Sequence, residues 1–191
     1  MEKFTDSQLF LLALNMELPR VLKFCATSKK FNDNICKKDT IWNYKLGKEF
    51  PDYKKLKVKT SKRRTYELLY KLRQLKKHLK AEDLDVYELY NERKLNLQGK
   101  GLTYLPGDIG ILKNVKILKL GDNELQTLPE EIGNLHDLQI LDLSFNQLIS
   151  LPDSLGKLTQ LTHLELTGND DLQDIPSSVF SIPNLTIKFP N

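Results

Sequence analysis

A chain of 191 residues has room for one sizeable domain or two small ones, and an apolar share of 40% excludes a disordered polymer. The net charge of +4 hides two unlike halves: residues 1–91 carry 21 Lys+Arg against 12 Asp+Glu, and residues 92–191 carry 8 against 13. No apolar run reaches the roughly 18 residues that a bilayer span needs.

The opening MEKFTDSQ places acids among its first residues and lacks the apolar core of a signal peptide. Two cysteines, Cys25 and Cys36, are too few for a disulfide framework, so a reduced, intracellular chain is expected. The first 48 residues then read as short helices. Asp6 can cap SQLFLLAL, and Glu17-Leu18-Pro19 opens a second helix with proline in the tolerated first turn. Ser28 can start KKFNDNIC and Thr40 can start IWNYKLGKEF, which must end before Pro51. Apolar stripes run along them at Leu9/Leu12/Ala13, Leu18/Val21/Leu22/Cys25, Phe31/Ile35 and Trp42/Leu46. The lysines mostly fall on the opposite, solvent faces. Cys25 and Cys36 have no histidine near them, so zinc would lack ligands, and buried structural thiols are the expectation.

Leu18-Pro19, Leu22, Cys25, Lys29-Lys30-Phe31, Ile35 and Trp42 follow one another in an order that resembles the F-box, over about residues 6–47. The resemblance implies that the helices dock on a Skp-type linker subunit of a cullin–RING ubiquitin ligase, through Leu9, Leu12, Leu18, Pro19, Leu22 and Trp42. In one respect the chain departs from that family: where an F-box opens on its own Leu-Pro, this chain has Asp6-Ser7-Gln8-Leu9.

From Lys54 to Lys80 there are twelve Lys+Arg and a single acid, Glu67. SKRRTYELLYKLRQLKKHLK reads as an amphipathic helix with Leu68, Leu72, Leu75 and Leu79 on one side and base on the other. Such a helix can pack its leucines on the first repeat, can carry a nuclear-import signal at Lys62-Arg63-Arg64, or can meet an acidic partner. Tyr66 and Tyr70 are its only aromatics, which is thin for base stacking, so a nucleic-acid partner is not expected. AEDLDVYELYNER is expected to continue helically and set Leu84, Tyr87 and Leu89 over the array that follows.

That array repeats with a period of 23: Leu95, Leu118, Leu141 and Leu164, then Leu97, Leu120, Leu143 and Leu166. Leu105-Pro106, Leu128-Pro129 and Leu151-Pro152 follow in step, with Ile175-Pro176 one residue late. Residues 92–184 resemble the leucine-rich repeat in its short form. Alternating L-x-L turns its leucines inward from a short strand, an asparagine at the bend (Asn123, Asn146, Asn169) satisfies backbone groups, and proline removes a donor where the ladder stops. Glu92 and Lys100 break the pattern in the first unit, as a transition into a cap would, and LTIKFPN starts a fifth strand.

The expected fold is α+β: an F-box-like helical module (1–48), a basic connector and N-terminal cap (49–91), and a repeat solenoid (92–191) with a parallel sheet on its concave face. Alternation sends Asn96, Lys119, Asp142 and Glu165 outward in one column and Ile117, Ile140 and His163 in another, with Phe145 near the rim. An open face with exposed isoleucines suits a protein or peptide better than a small molecule. Equally, Lys119 and Asp142 can pair with each other and leave that face inert. His78, His136 and His163 lie in separate elements, and no phosphate loop, metal spacing or acid/base pair accompanies them. The chain therefore reads as a non-enzyme without cofactor or membrane partner. Resemblance to F-box/leucine-rich-repeat proteins implies a ubiquitin-ligase adaptor, cytoplasmic or nuclear, that holds a target on the concave face. The alternative is a plain interaction scaffold whose helices only cap the solenoid. Short lysine-rich proteins of this kind resemble those of large DNA viruses of protists, which implies action in a host cell.

Overall fold

The computed structural model describes residues 5–190 and divides into two compact units, Met1–Lys71 and Leu72–Asn191. The first unit is helical: α1 (Asp6–Leu14), α2 (Leu18–Thr27), α3 (Lys29–Phe31) running on as a π-helical turn (Asn32–Cys36), and α4 (Asp39–Glu49). A 3₁₀ turn (Tyr53–Leu56) follows, and then α5 (Lys62–His78), which begins in this unit and ends in the next.

The start of α1 differs from expectation. Thr5, not Asp6, is the cap: its Oγ1 accepts from the Gln8 amide at 3.3 Å while its own amide donates to Gln8 Oε1 at 2.8 Å. Thr-x-x-Gln is a reciprocal capping box, which satisfies two orphan donors where Asp6 alone would satisfy one. Asp6 sits in the first turn instead and accepts from Asn34 Nδ2 at 2.8 Å. Ser28 caps α3 as expected, its Oγ accepting from the Phe31 amide at 3.2 Å. The fourth helix starts at Asp39 rather than after Thr40, without a side-chain cap, and stops at Phe50 ahead of Pro51.

Trp42, Phe31, Ile35, Ile41, Leu46, Val21 and Ala13 form the core of this unit, joined by Tyr66 of α5. Each such large side chain contributes about 1.5–3 kcal/mol on burial. The indole of Trp42 donates to the Cys36 carbonyl at 2.8 Å, so its polar edge is satisfied in the core. The cysteines correct the expectation of free thiols. Cys25 on α2 and Cys36 at the end of the π turn are joined in a disulfide, with Cα atoms 6.0 Å apart. Eleven residues of separation say nothing of facing; the α2–α3 corner folds the chain back so that the two positions meet.

Lys45 also departs from the solvent-face reading, being 2% exposed. Its Nζ donates to the Met16 carbonyl at 2.7 Å and approaches the Leu14 carbonyl at 3.4 Å and Glu49 Oε1 at 3.4 Å. A cation thus closes the carbonyl end of α1, where the last carbonyls lack intrahelical partners.

On α5 the buried apolar residues are Tyr66, Leu69, Leu72 and Leu75, with Leu79 buried just past its end; Leu69 takes the place expected for Leu68, which is only half-buried. The helix does not continue through AEDLDVYELYNER. Lys80 turns left-handed (φ 51°), and a new helix, α6 (Val86–Asn91), starts behind Asp85. Asp85 Oδ1 accepts from the amides of Tyr87 and Glu88, and Glu88 Oε2 accepts from the Asp85 amide, a second capping box that favours a fresh start over a longer helix. Of the residues expected to lie over the array, Leu89 is buried and Leu84 and Tyr87 are half-buried.

The second unit then builds one parallel sheet in sequence order, β1 (Lys94–Asn96), β2 (Ile117–Lys119), β3 (Ile140–Asp142), β4 (His163–Glu165) and β5 (Thr186–Lys188). Lys94, Ile117, Ile140, His163 and Thr186 stand in register, so the 23-residue period becomes a ladder. Between strands each repeat returns through a one-turn helix, 3₁₀ at Gly107–Ile111, Glu130–Asn134 and Asp153–Lys157, and α7 (Ser177–Phe180) in the last. The inward leucines of all four repeats are buried in a continuous core that no single repeat could close.

Candidate functional site

The outward face of the sheet is positioned by what lies under it. At each bend the amide of Asn123, Asn146 or Asn169 is buried and bridges two repeats. Asn146 accepts from the Leu125 amide at 3.0 Å and donates to the carbonyls of Leu120 and Leu143, each at 3.0 Å. In the first repeat, where Lys100 stands, Lys80 Nζ donates instead to the carbonyls of Lys100 (2.6 Å) and Gly101 (3.4 Å). The strands are thereby held at fixed spacing, and their outward side chains form straight columns.

One column is Ile117, Ile140 and His163; the isoleucines are half-buried neighbours and His163 is exposed, its Nδ1 2.9 Å from Thr162 Oγ1. The other is Asn96, Lys119, Asp142 and Glu165, continued by Lys188. Asn96 is exposed and the next three are half-buried. Asp142 does not pair with Lys119: its Oδ1 accepts from the Ser144 hydroxyl at 2.6 Å and amide at 3.1 Å. The ion pair in this column is Glu165 with Lys188, at 2.8 Å.

Burial pushes the Glu165 carboxyl up, but hydrogen bonds from Lys188 and Thr167 outweigh it and hold it below its ordinary value. Lys188 is raised in turn, chiefly by the hydrogen bond to Glu165. A carboxyl depressed on folding contributes above its unfolded value of 4.5 and loses that contribution as pH falls through its folded value. The raised lysine contributes below 10.5 and loses its share as pH rises through its folded value, so the pair ties β5 to β4 between those limits. In an NMR titration the Glu165 carboxyl should therefore turn over below 4.5, and Lys188→Ala should move the midpoint up. A midpoint that ignores Lys188→Ala would remove the pair from this account.

On the first unit, Leu9, Leu18 and Trp42 are buried, Leu22 is half-buried, and Leu12 and Pro19 are exposed. The six residues that the resemblance assigns to linker binding are thus split between framework and surface. A groove of about 530 Å³ lies along Asp6, Phe10, Leu11, Asn34, Ile35 and Ile41, with Leu11 60% exposed at its side. This groove escapes sequence reading because its walls come from three elements. Of the other histidines, His136 is exposed outside the sheet, and His78 stacks on Tyr104 with ring centres 4.1 Å apart. Among the described residues no group of three His, Cys, Asp or Glu is placed to hold a metal, and no helix is long and apolar enough to cross a membrane.

Residues 95–187, a little under half of the chain, match the family model of the leucine-rich repeat region. Among solved structures the chain is similar to a leucine-rich repeat protein of Leptospira interrogans, 39% identical, with a TM-score of 0.40. The match covers 46% of this chain and 22% of that one, so the chain spans about a fifth of its relative's length. No curated protein matches the chain. The residues matched by the family model all lie in the second unit.

Proposed function

We propose that the chain is a non-catalytic protein-binding adaptor. It takes a target protein on the outward face of its sheet, through Asn96, Ile117, Lys119, Ile140, Asp142, His163 and Glu165, and docks on a Skp-type linker of a cullin–RING ubiquitin ligase through its helical unit. The observation that carries the target-binding half is the register of Ile117 beside Ile140 on an open face, apolar area that folding has not used. Leucine-rich repeats are in general protein-binding surfaces, which supports the same reading. The linker half rests on the F-box resemblance and on the groove beside α1, with Leu11, Leu12 and Pro19 free to meet a partner. Such an adaptor works in the cytoplasm or nucleus, of a host cell if the chain is viral. In those reducing compartments Cys25 and Cys36 would stand as two buried thiols. A second reading, an interaction scaffold that engages no ligase, is favoured by the burial of Leu9, Leu18 and Trp42, which gives these residues a purely structural use.

The test uses the full chain with purified Skp-type linker. Micromolar binding is expected, abolished by Leu12→Asp with Pro19→Gly and untouched by Ile140→Asp. Leu9 is unsuitable for this test because its replacement would disturb the core. Wild-type protein that fails to bind the linker at micromolar concentration leaves the scaffold reading standing.

A further inference from the structure

The fifth residue counted on from the starts of β1 to β4 is left-handed: Gly99 (φ 66°), Asp122 (57°), Phe145 (51°) and Gly168 (71°). Glycine adopts that conformation freely and aspartate tolerates it, but a bulky aromatic there is a real exception. The bend demands the geometry, since the amides of Asp122 and Phe145 donate to the carbonyls of Ser144 and Thr167 in the next repeat. Folding does not reward the ring for it, because Phe145 is 63% exposed. The following repeat makes room for it: a Cβ on Gly168 would stand 2.6 Å from Phe145 Cδ1. A strained, exposed aromatic thus stands beside a glycine of the next repeat that leaves room for its ring.

A second exception lies beside it. In the column of Asn96, Lys119, Asp142 and Glu165, the other three side chains each accept the amide of the residue two positions on, at Gln98, Ser144 and Thr167. Lys119 cannot accept, and among the described residues neither its ammonium nor the amide of Gly121 meets a partner. Lys119 is the register partner of Asp142, and Phe145 follows Asp142 by three residues, so the two features stand on the order of 10 Å apart.

We infer that the sheet face recognises an extended protein segment that sets a carboxylate against Lys119 and an apolar or aromatic side chain on Phe145, the two about two to four residues apart. The inference rests on the protein-binding reading of this face and names the chemistry of its partner. Charge selects the acid, since the Lys119 ammonium is the cation of that column without a partner among the described residues, whereas Lys188 is held by Glu165. Asp142 and Glu165 on the same column turn away a phosphate backbone.

The experiment selects a displayed library of random 12-residue peptides on the immobilised full chain. Enriched peptides should carry Asp or Glu two to four residues from Phe, Trp or Leu. One such peptide, synthesised, should lose tenfold or more in affinity to Lys119→Gln and to Phe145→Asn. Its acid-to-Lys version should bind Lys119→Glu better than wild type. Asparagine tolerates the left-handed conformation, so Phe145→Asn should leave the melting temperature unchanged or raised; a fall would assign the ring to structure and overturn the inference. Peptides that lack acids, or that ignore both substitutions while responding to Ile140→Asp, overturn the inference and leave the sheet face as a binding surface. Peptides that also ignore Ile140→Asp overturn both, and a selection without acidic enrichment, including one without binders, overturns the inference.

Discussion

Asn146→Ala is expected to cost about 2–4 kcal/mol, a large loss for a single polar substitution in the repeat unit. The carbonyls of Leu120 and Leu143 keep other donors, Asn123 Nδ2 and Asn169 Nδ2, but the buried amide of Leu125 loses its acceptor outright. An unpaired buried N–H carries its full desolvation penalty, and the missing amide leaves a void beside it. Asn146→Asp should do at least as badly, because a carboxylate would face the carbonyls of Leu120 and Leu143 with no proton to give. Urea unfolding followed by circular dichroism reads the loss, and hydrogen exchange at Leu125 locates it. A loss below about 1 kcal/mol would mean that water or a shifted bend replaces the side chain.

The asparagines, the leucines and the sheet register were legible in the sequence for one reason. Stacked repeats put the same position in the same environment again and again, so a period of 23 is itself a contact map. The outward columns followed from alternation alone. Gly133 marks where legibility ended within the array: a Cβ there would stand 2.5 Å from the Ser154 carbonyl oxygen, yet a recurrent glycine reads like any turn residue. Phe145 was placed near the rim, but its left-handed backbone and its fit over Gly168 are contacts between repeats at non-leucine positions. The outward columns were therefore legible in the sequence, while the exceptions beside them, the strained ring and the free lysine, were not.

The helical unit offers no repetition, so each of its contacts is met once. Its helices were legible from apolar spacing and proline, and two of its caps or starts, at α1 and α4, were misplaced only by a residue or so. The disulfide between Cys25 and Cys36 and the groove beside α1 depend on how separate helices turn toward each other. Local pattern carries no such information. The same holds for Lys45, whose position on α4 reads as one more solvent-facing lysine until α1 is packed against it.

Lys45→Met provides the sharpest test of that packing. Methionine keeps the length and flexibility of the side chain, so little cavity opens, and what is lost is the charge and its protons. The Met16 carbonyl, 2.7 Å from the ammonium, loses the donor that closes the end of α1. Glu49 loses a cation at 3.4 Å while still accepting from the Tyr66 hydroxyl at 2.6 Å, and the Tyr66 ring loses an ammonium 5.5 Å from its centre. Against these losses stands the desolvation cost of burying a cation, which methionine avoids. The donor losses win here because the ammonium is held by a carbonyl, a carboxylate and a ring together, and the net cost should be about 2–4 kcal/mol. Trp42 is the only tryptophan and lies in the core of this unit, so its fluorescence reports the transition directly. The midpoint in urea should fall, with an unchanged slope. Lys45→Arg should not restore it, because a planar fork cannot occupy the place of a compact ammonium among these three partners. If Lys45→Met raises the midpoint instead, the buried cation is a cost that the fold carries for another purpose, and the closing of α1 must be assigned to other groups.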